Sequence, residues 1–233
     1  MLVRQLNMAR FWEFAQLTDG WKNASYFDEI PVSKTSDKSV DGSACNNSSR
    51  MKSNASDESV RSQGRLYIGG IAAVYLNPSP LKKAGVTHVV SLLDWDIDDE
   101  GRKKVGEVIE GEKEKEKHSG DAIAPDDHRW LRVDVEDDER QDLAKWFEKT
   151  NHFIHRGLQE GGVFVHCAMG VSRSATIVCA YLMWRFEVGR QEALEWVRRG
   201  RARCSPNDGF WKQLGLYERA LQERRKTQRN TKL

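Results

Sequence analysis

The sequence predicts an α/β fold, and three stretches carry that prediction. Val163-Phe164-Val165, preceded by Gly161-Gly162, reads as a buried strand that turns through a short loop into the apolar helix Ser172 to Trp184. Arg65 to Gly70, a short helix from Pro78 to Ala84 closed by Gly85, and Val86 to Leu93 give strand, helix and strand in succession. Trp130 to Val135 alternates as a further strand, after which Leu143, Trp146, Phe147, Phe153, Ile154 and Leu158 take up helical spacing. Strands alternating with helices in this manner belong to the α/β class.

Length and composition narrow the function. A chain of 233 residues holds one large domain or two small ones. With 31% charged residues and a net charge of only +2, no global field draws it to nucleic acid or to a membrane surface. The cysteines, at 45, 167, 179 and 204, are widely spaced, which argues against a zinc cluster or a disulfide scaffold. No apolar run approaches membrane-spanning length, and the first residues lack the apolar core of a signal peptide. The expected location is therefore the cytoplasm or the nucleus.

Taken in order, residues 1–30 are an N-terminal extension. Its aromatics, among them Phe11, Trp12, Trp21 and Phe27, suggest a short helix and loop packed on the main domain. Residues 31–63 form a serine-rich linker with too little apolar surface to offset its ordering entropy, and are expected to be disordered. Asp94 to Asp127 is long and polar, with alternating Glu and Lys from 112 to 117 that fit a solvated helix or loop. Glu136 to Asp142 is an acidic loop. Cys179 falls in the apolar helix and reads as core. Arg190 to Arg199 is amphipathic. Arg198, Arg199, Arg201 and Arg203 make a basic stripe, either a solvated face or an attraction for acidic substrates. Asn207 caps the last helix, and residues 223–233 are a basic, frayed tail.

The chemistry sits between strand and helix, at His166-Cys167-Ala168-Met169-Gly170-Val171-Ser172-Arg173-Ser174. A strand–loop–helix of this kind aims backbone N–H groups and the positive end of a helix dipole into one concavity, an anion site. A Cys at its base, with a His before it and an Arg six residues on, loses its proton more readily than a free thiol. Arg173 offers a planar fork for two oxygens, Gly170 lets the backbone curl, and Ser172 and Ser174 supply hydroxyl donors. A bare Cys-x5-Arg is common by chance; the whole string in this setting is not.

That string, together with Arg201-x-x-x-x-Pro206-Asn207-x-x-Phe210-x-x-Gln213-Leu214, resembles the cysteine-dependent dual-specificity phosphatases of the protein tyrosine phosphatase superfamily. The resemblance spans residues 64–222 as a catalytic domain and implies a central, mostly parallel sheet flanked by helices. Its phosphate loop would lie between a strand and a helix. It implies Cys167 as nucleophile, with Arg173 and the backbone amides of Ala168, Met169, Gly170, Val171 and Ser172 holding the phosphate. Ser174 would stabilise the departing thiolate, and His166 would orient the loop and help keep Cys167 ionised. The family's general acid is an Asp on the loop after the third strand. By register this is Asp137, with Asp138 as runner-up and Asp134 inside the strand. The implied reaction needs no metal or cofactor. It removes phosphate from phosphotyrosine and phosphoserine or phosphothreonine of a protein substrate through a cysteinyl-phosphate. The alternatives are a phosphoinositide or RNA 5′-phosphatase on the same fold, a non-catalytic phospho-binding module, and a sulfur-transfer enzyme.

Overall fold

The computed structural model describes residues 26–30, 64–77, 79–109 and 128–231. The greater part of the N-terminal extension, the serine-rich linker and the Glu–Lys alternation therefore lie outside the described residues. Among the described residues five strands make one sheet: β1 (Phe27–Ile30), β2 (Leu66–Gly70), β3 (Val86–Leu92), β4 (Trp130–Val133) and β5 (Gly162–Cys167), in the order β1-β2-β5-β3-β4. β5 is central, parallel to β2 and β3, and β3 is parallel to β4; only β1 runs antiparallel, against β2. The mostly parallel sheet expected from the sequence is present.

Because side chains alternate along a strand, each strand feeds two cores. Leu66, Ile68, Val90, Leu92, Val163, Val165 and Cys167 face one layer. That layer is built from α4 (Phe147–Glu160), α5 (Arg173–Phe186), α6 (Arg190–Gly200) and α7 (Asp208–Asn230). Tyr67, Val89, Trp130 and Phe164 face the other, covered by α1 (Ala72–Tyr75), α2 (Pro80–Lys83) and α3 (Asp99–Ile109). α5 is buried from Arg173 through Met183, as a helix apolar on every side must be. A helix locked in this way fixes the direction of its own N-terminus, which opens the anion loop.

Two expectations change. Residues 27–30, read as part of a helix and loop, form the edge strand of the sheet, so the folded unit includes residues upstream of position 64. The basic tail, read as frayed from 223, continues α7 to Asn230. No glycine or proline interrupts residues 222–230, so nothing local ends the helix there.

The α-helical core places a large aromatic where it cannot be removed cheaply. Phe147, 1% exposed, sits edge-on to Tyr217 with ring centroids 5.0 Å apart. Phe147→Ala is expected to cost about 3–5 kcal/mol of unfolding free energy and Phe147→Leu less, measured by urea denaturation.

Candidate active site

β5 ends at Cys167 and α5 begins at Arg173, so Ala168 to Ser172 make the turn between them. Gly170 takes φ +69°, and a Cβ there would lie 2.4 Å from the carbonyl carbon of Gly69. The loop's carbonyls are drawn outward by donors from other elements. Ile71 N–H donates to Ala168 O at 3.1 Å and Ser205 N–H to Val171 O at 2.9 Å. Arg201 Nε donates to Gly170 O at 2.9 Å, and Arg203 Nη2 donates to Met169 O at 3.2 Å. With its carbonyls turned out, the loop leaves its amides facing the hollow at the N-terminus of α5.

Cys167 lies at the floor, 1% exposed. The Gly170 amide donates to its Sγ at 3.2 Å, and Ser174 Oγ is 3.3 Å from the sulfur. Burial by itself pushes this thiol up, but the Arg173 guanidinium, the Ser174 hydroxyl and the amides of Ser174 and Val171 outweigh it. The net shift is downward from the usual thiol value. The other described cysteines are opposites. At Cys179 and Cys204 burial outweighs the nearby guanidiniums of Arg198 and Arg201 and raises both thiols, Cys204 to about 12.

Arg173 is 5% exposed and tightly oriented. Its Nη1 donates to Asp94 Oδ1 and to Val135 O, each at 3.0 Å. Nε is buried without a hydrogen-bond partner, 3.6 Å from Asp137 Oδ2. With both Nη1 hydrogens committed, the side-on pair Nε and Nη2 is the edge available to two oxygens of a tetrahedral anion.

Asp137 is brought over the same loop. Its Oδ1 accepts from Ser172 Oγ at 2.7 Å and from Asn207 Nδ2 at 2.9 Å. Asn207 Oδ1 in turn accepts from Phe210 N–H, capping α7. Gln213 holds the next stretch: its Oε1 accepts from the amides of Leu143 and Ala144, and its Nε2 donates to Gln141 O. Thiol, guanidinium and carboxylate thus converge on one hollow lined with amides, the constellation of a cysteine-dependent phosphatase.

A family model described as the dual specificity phosphatase catalytic domain matches residues 67–220. The chain is 34% identical over 182 residues to dual specificity protein phosphatase 1B of Arabidopsis thaliana, which covers 76% of this chain and 90% of that one. A probable dual specificity protein phosphatase of Dictyostelium discoideum is 35% identical over 159 residues, 68% of this chain, and the chain spans only 34% of that relative's length. The crystal structure of human DUSP28 matches with a TM-score of 0.52 and 30% identity over 67% of this chain and 90% of that one. The chain belongs to the dual-specificity phosphatase family.

In this dual-specificity domain the structure brings together Cys167, Arg173, Ser174, Asp137 and the loop from Ala168 to Ser172. It sets the other two acidic candidates apart. Asp138 turns to Arg140, whose side-chain and backbone hydrogen bonds hold its carboxyl down at about 2. Asp134 lies beyond the end of β4, exposed. His166 is fully buried, which lowers its pKa to about 4, so any influence it has on the thiol comes through hydrogen bonding and not through a positive charge. Its ring contacts Ser91 Oγ at 2.7 Å and Cys167 O, in the loop, at 3.3 Å. Arg201 is not part of a solvated stripe: it is 3% exposed, holds Gly170 O and pairs with Asp28 of β1. Sequence reading missed Asp94. Its one signal was position, a carboxylate just past the C-terminal end of a strand that neighbours β5.

The electrostatics predict selective labelling. Iodoacetamide should alkylate Cys167 with a pH midpoint below that of a free thiol, because the folded state favours the thiolate. Cys179 and Cys204 should stay unmodified through pH 9 in native protein, read by mass spectrometry of peptides.

Proposed function

We propose that this domain hydrolyses phosphotyrosine and phosphoserine or phosphothreonine of protein substrates through a cysteinyl-phosphate intermediate. The observation that carries the reading is the position of Cys167 Sγ, within 3.3 Å of Gly170 N and Ser174 Oγ, beneath a guanidinium and a loop-mounted carboxyl group. In the first step the thiolate attacks phosphorus in line with the ester oxygen. The S–P bond forms as the P–O bond breaks, and Asp137, in its acid form, gives its proton to the leaving oxygen. Arg173 Nε and Nη2 and the loop amides hold the equatorial oxygens, where charge is stabilised in the transition state. In the second step water attacks the phosphorus of the cysteinyl-phosphate and Asp137 takes its proton. The S–P bond breaks, and the sulfur leaves as a thiolate stabilised by Ser174 and the Gly170 amide. The products are the free hydroxyl and inorganic phosphate.

Within this scheme no metal ion or cofactor takes part. Ala168, Met169 and Val171 add no charge between Cys167 and Arg173, which favours the single phosphate of a phosphoprotein over the denser charge of phosphoinositide or RNA ends. A purely phospho-binding module would have no use for an activated thiol with a carboxyl group beside its guanidinium.

The reading is tested with p-nitrophenyl phosphate and phosphopeptides. Cys167→Ser should reduce turnover to background, and EDTA should leave wild-type rates unchanged. Asp137→Ala should lower kcat on a phosphotyrosine peptide by about 10²–10⁴-fold, with a smaller loss on p-nitrophenyl phosphate, whose leaving group needs less protonation. Asp138→Ala should stay near wild type. Equal loss from both aspartates, or retained turnover in Cys167→Ser, would refute the scheme.

A further inference from the structure

One buried cluster next to the nucleophile has no part in the scheme above. Ser91 of β3, Trp130 of β4 and His166 of β5 are all at most 2% exposed. Strand register places Ser91 beside His166 and Val89 beside Trp130, so the three side chains lie on one face of three adjacent strands. The indole Nε1 donates to Ser91 Oγ at 2.9 Å, and Ser91 Oγ is 2.7 Å from His166 Nε2. The other ring nitrogen, Nδ1, is 3.3 Å from Cys167 O. We propose that Trp130 and Ser91 are positioning residues that lock His166 in its neutral, Nδ1-protonated tautomer and so hold the Cys167 carbonyl away from the sulfur.

Proton accounting at both ends of the ring gives the same answer. An indole N–H only donates, so the Ser91 oxygen accepts there. The serine hydroxyl has one hydrogen, and among the described residues the partner within its reach besides the indole is His166 Nε2, 2.7 Å away. Were Nε2 protonated, Ser91 would accept twice and its own hydrogen would be buried without a partner. At the far end a carbonyl only accepts, so the hydrogen must be on Nδ1. The stacking of the imidazole on Phe164, with centroids 5.2 Å apart and planes 16° apart, fixes the ring plane. Burial and the facing Arg173 both disfavour a charged imidazolium.

The consequence falls on the thiol. The negative end of the Cys167 carbonyl dipole is held by Nδ1–H, leaving the sulfur to Gly170 N–H, the Ser174 hydroxyl and Arg173. Cys204 also feels the charge on Cys167; its own thiol is raised to about 12, chiefly by burial, and stays neutral. If the relay is cut, the imidazole can switch tautomer and set a lone pair against the carbonyl. The loop then loses its tether beside the nucleophile.

Long-range ¹H–¹⁵N spectra of the wild-type ring nitrogens test the tautomer directly, with no variant and no substrate. His166 should be neutral, with Nδ1 protonated and Nε2 not, from about pH 7.5 down to about pH 5.5. An Nε2-protonated ring or an imidazolium in that range overturns the proposal. Trp130→Phe, which keeps the ring bulk, and Ser91→Ala should move the acid limb of Cys167 alkylation up by about half a pH unit or more, roughly threefold less thiolate below the midpoint. Ser91→Thr, which keeps the hydroxyl, should restore it. Folded Ser91→Ala protein with wild-type tautomer and alkylation limb also overturns the proposal, whatever its kcat. The proposal takes from the functional reading only that the Cys167 thiolate matters. A protein inert to phosphomonoesters but with the stated tautomer would sink that reading and leave this one standing.

Discussion

Everything at this site depends on the direction of six consecutive carbonyls. From Cys167 to Ser172 each one is held by a donor outside the hollow: the His166 ring, Ile71 N–H, Arg203, Arg201, Ser205 N–H, and Thr176 through both its amide and its hydroxyl. A peptide unit carries its N–H opposite its C=O, so pinning the oxygens outward aims the nitrogens inward. The concavity is therefore a product of the surrounding fold as much as of the loop. Left alone, a loop of this length would have to satisfy buried carbonyls itself, and turning even one inward would put a negative dipole against the anion the site is built to hold.

The same logic explains which parts were readable in the sequence. Loop, strand and helix are contiguous, so their residue types announce the anion site: Cys167 and Arg173 six apart, Gly170 where a positive φ is required. The donors that shape the loop are not contiguous with it. Asp94 reaches Arg173 across 79 positions, and Asp28 reaches Arg201 across 173. An ion pair of that separation leaves no local period or spacing to detect. β1 was missed for a related reason. Four residues, Phe-Asp-Glu-Ile, are too short for alternation to show, and they become a strand only because β2 offers an edge. The extension of α7 to Asn230 runs opposite to expectation because a charged, glycine-free segment propagates a helix already nucleated in the core.

Arg173 shows how a buried cation is kept useful. A guanidinium 5% exposed needs compensation, and Asp94 with Val135 O supplies it through one nitrogen. Two roles are separated on one planar group. The Nη1 end is structural, saturated and directed at the C-terminal edges of β3 and β4; the Nε edge points toward Asp137 at a distance too long for a hydrogen bond. In the proposed reaction a phosphoryl group arriving there would exchange the loose contact with Asp137 for two charge-assisted hydrogen bonds, while Asp94 stays in place. The guanidinium's positive charge is thus compensated in both states of the proposed scheme, and its rotamer need not change.

The acid loop obeys a matching constraint from the other side. Asp137 is mounted on a segment without regular structure, yet it is held by Ser172 at the head of α5 and by Asn207 at the head of α7. α7 approaches so closely that a Cβ on Gly209 would lie 1.9 Å from Glu139 O. Only glycine permits that contact, and Gln213 one turn on fastens Gln141, Leu143 and Ala144. The two sequence motifs, one around Cys167 and one around Pro206-Asn207, are therefore halves of one device: the first builds the cradle of Cys167, and the second fixes the distance between that cradle and Asp137, the proton donor of the proposed scheme. A phosphatase needs that distance set, because proton delivery to the leaving oxygen counts only if it coincides with attack from the opposite face of phosphorus. The helix cap at Asn207 joins the two requirements, since the same amide side chain that accepts from Phe210 N–H donates to Asp137.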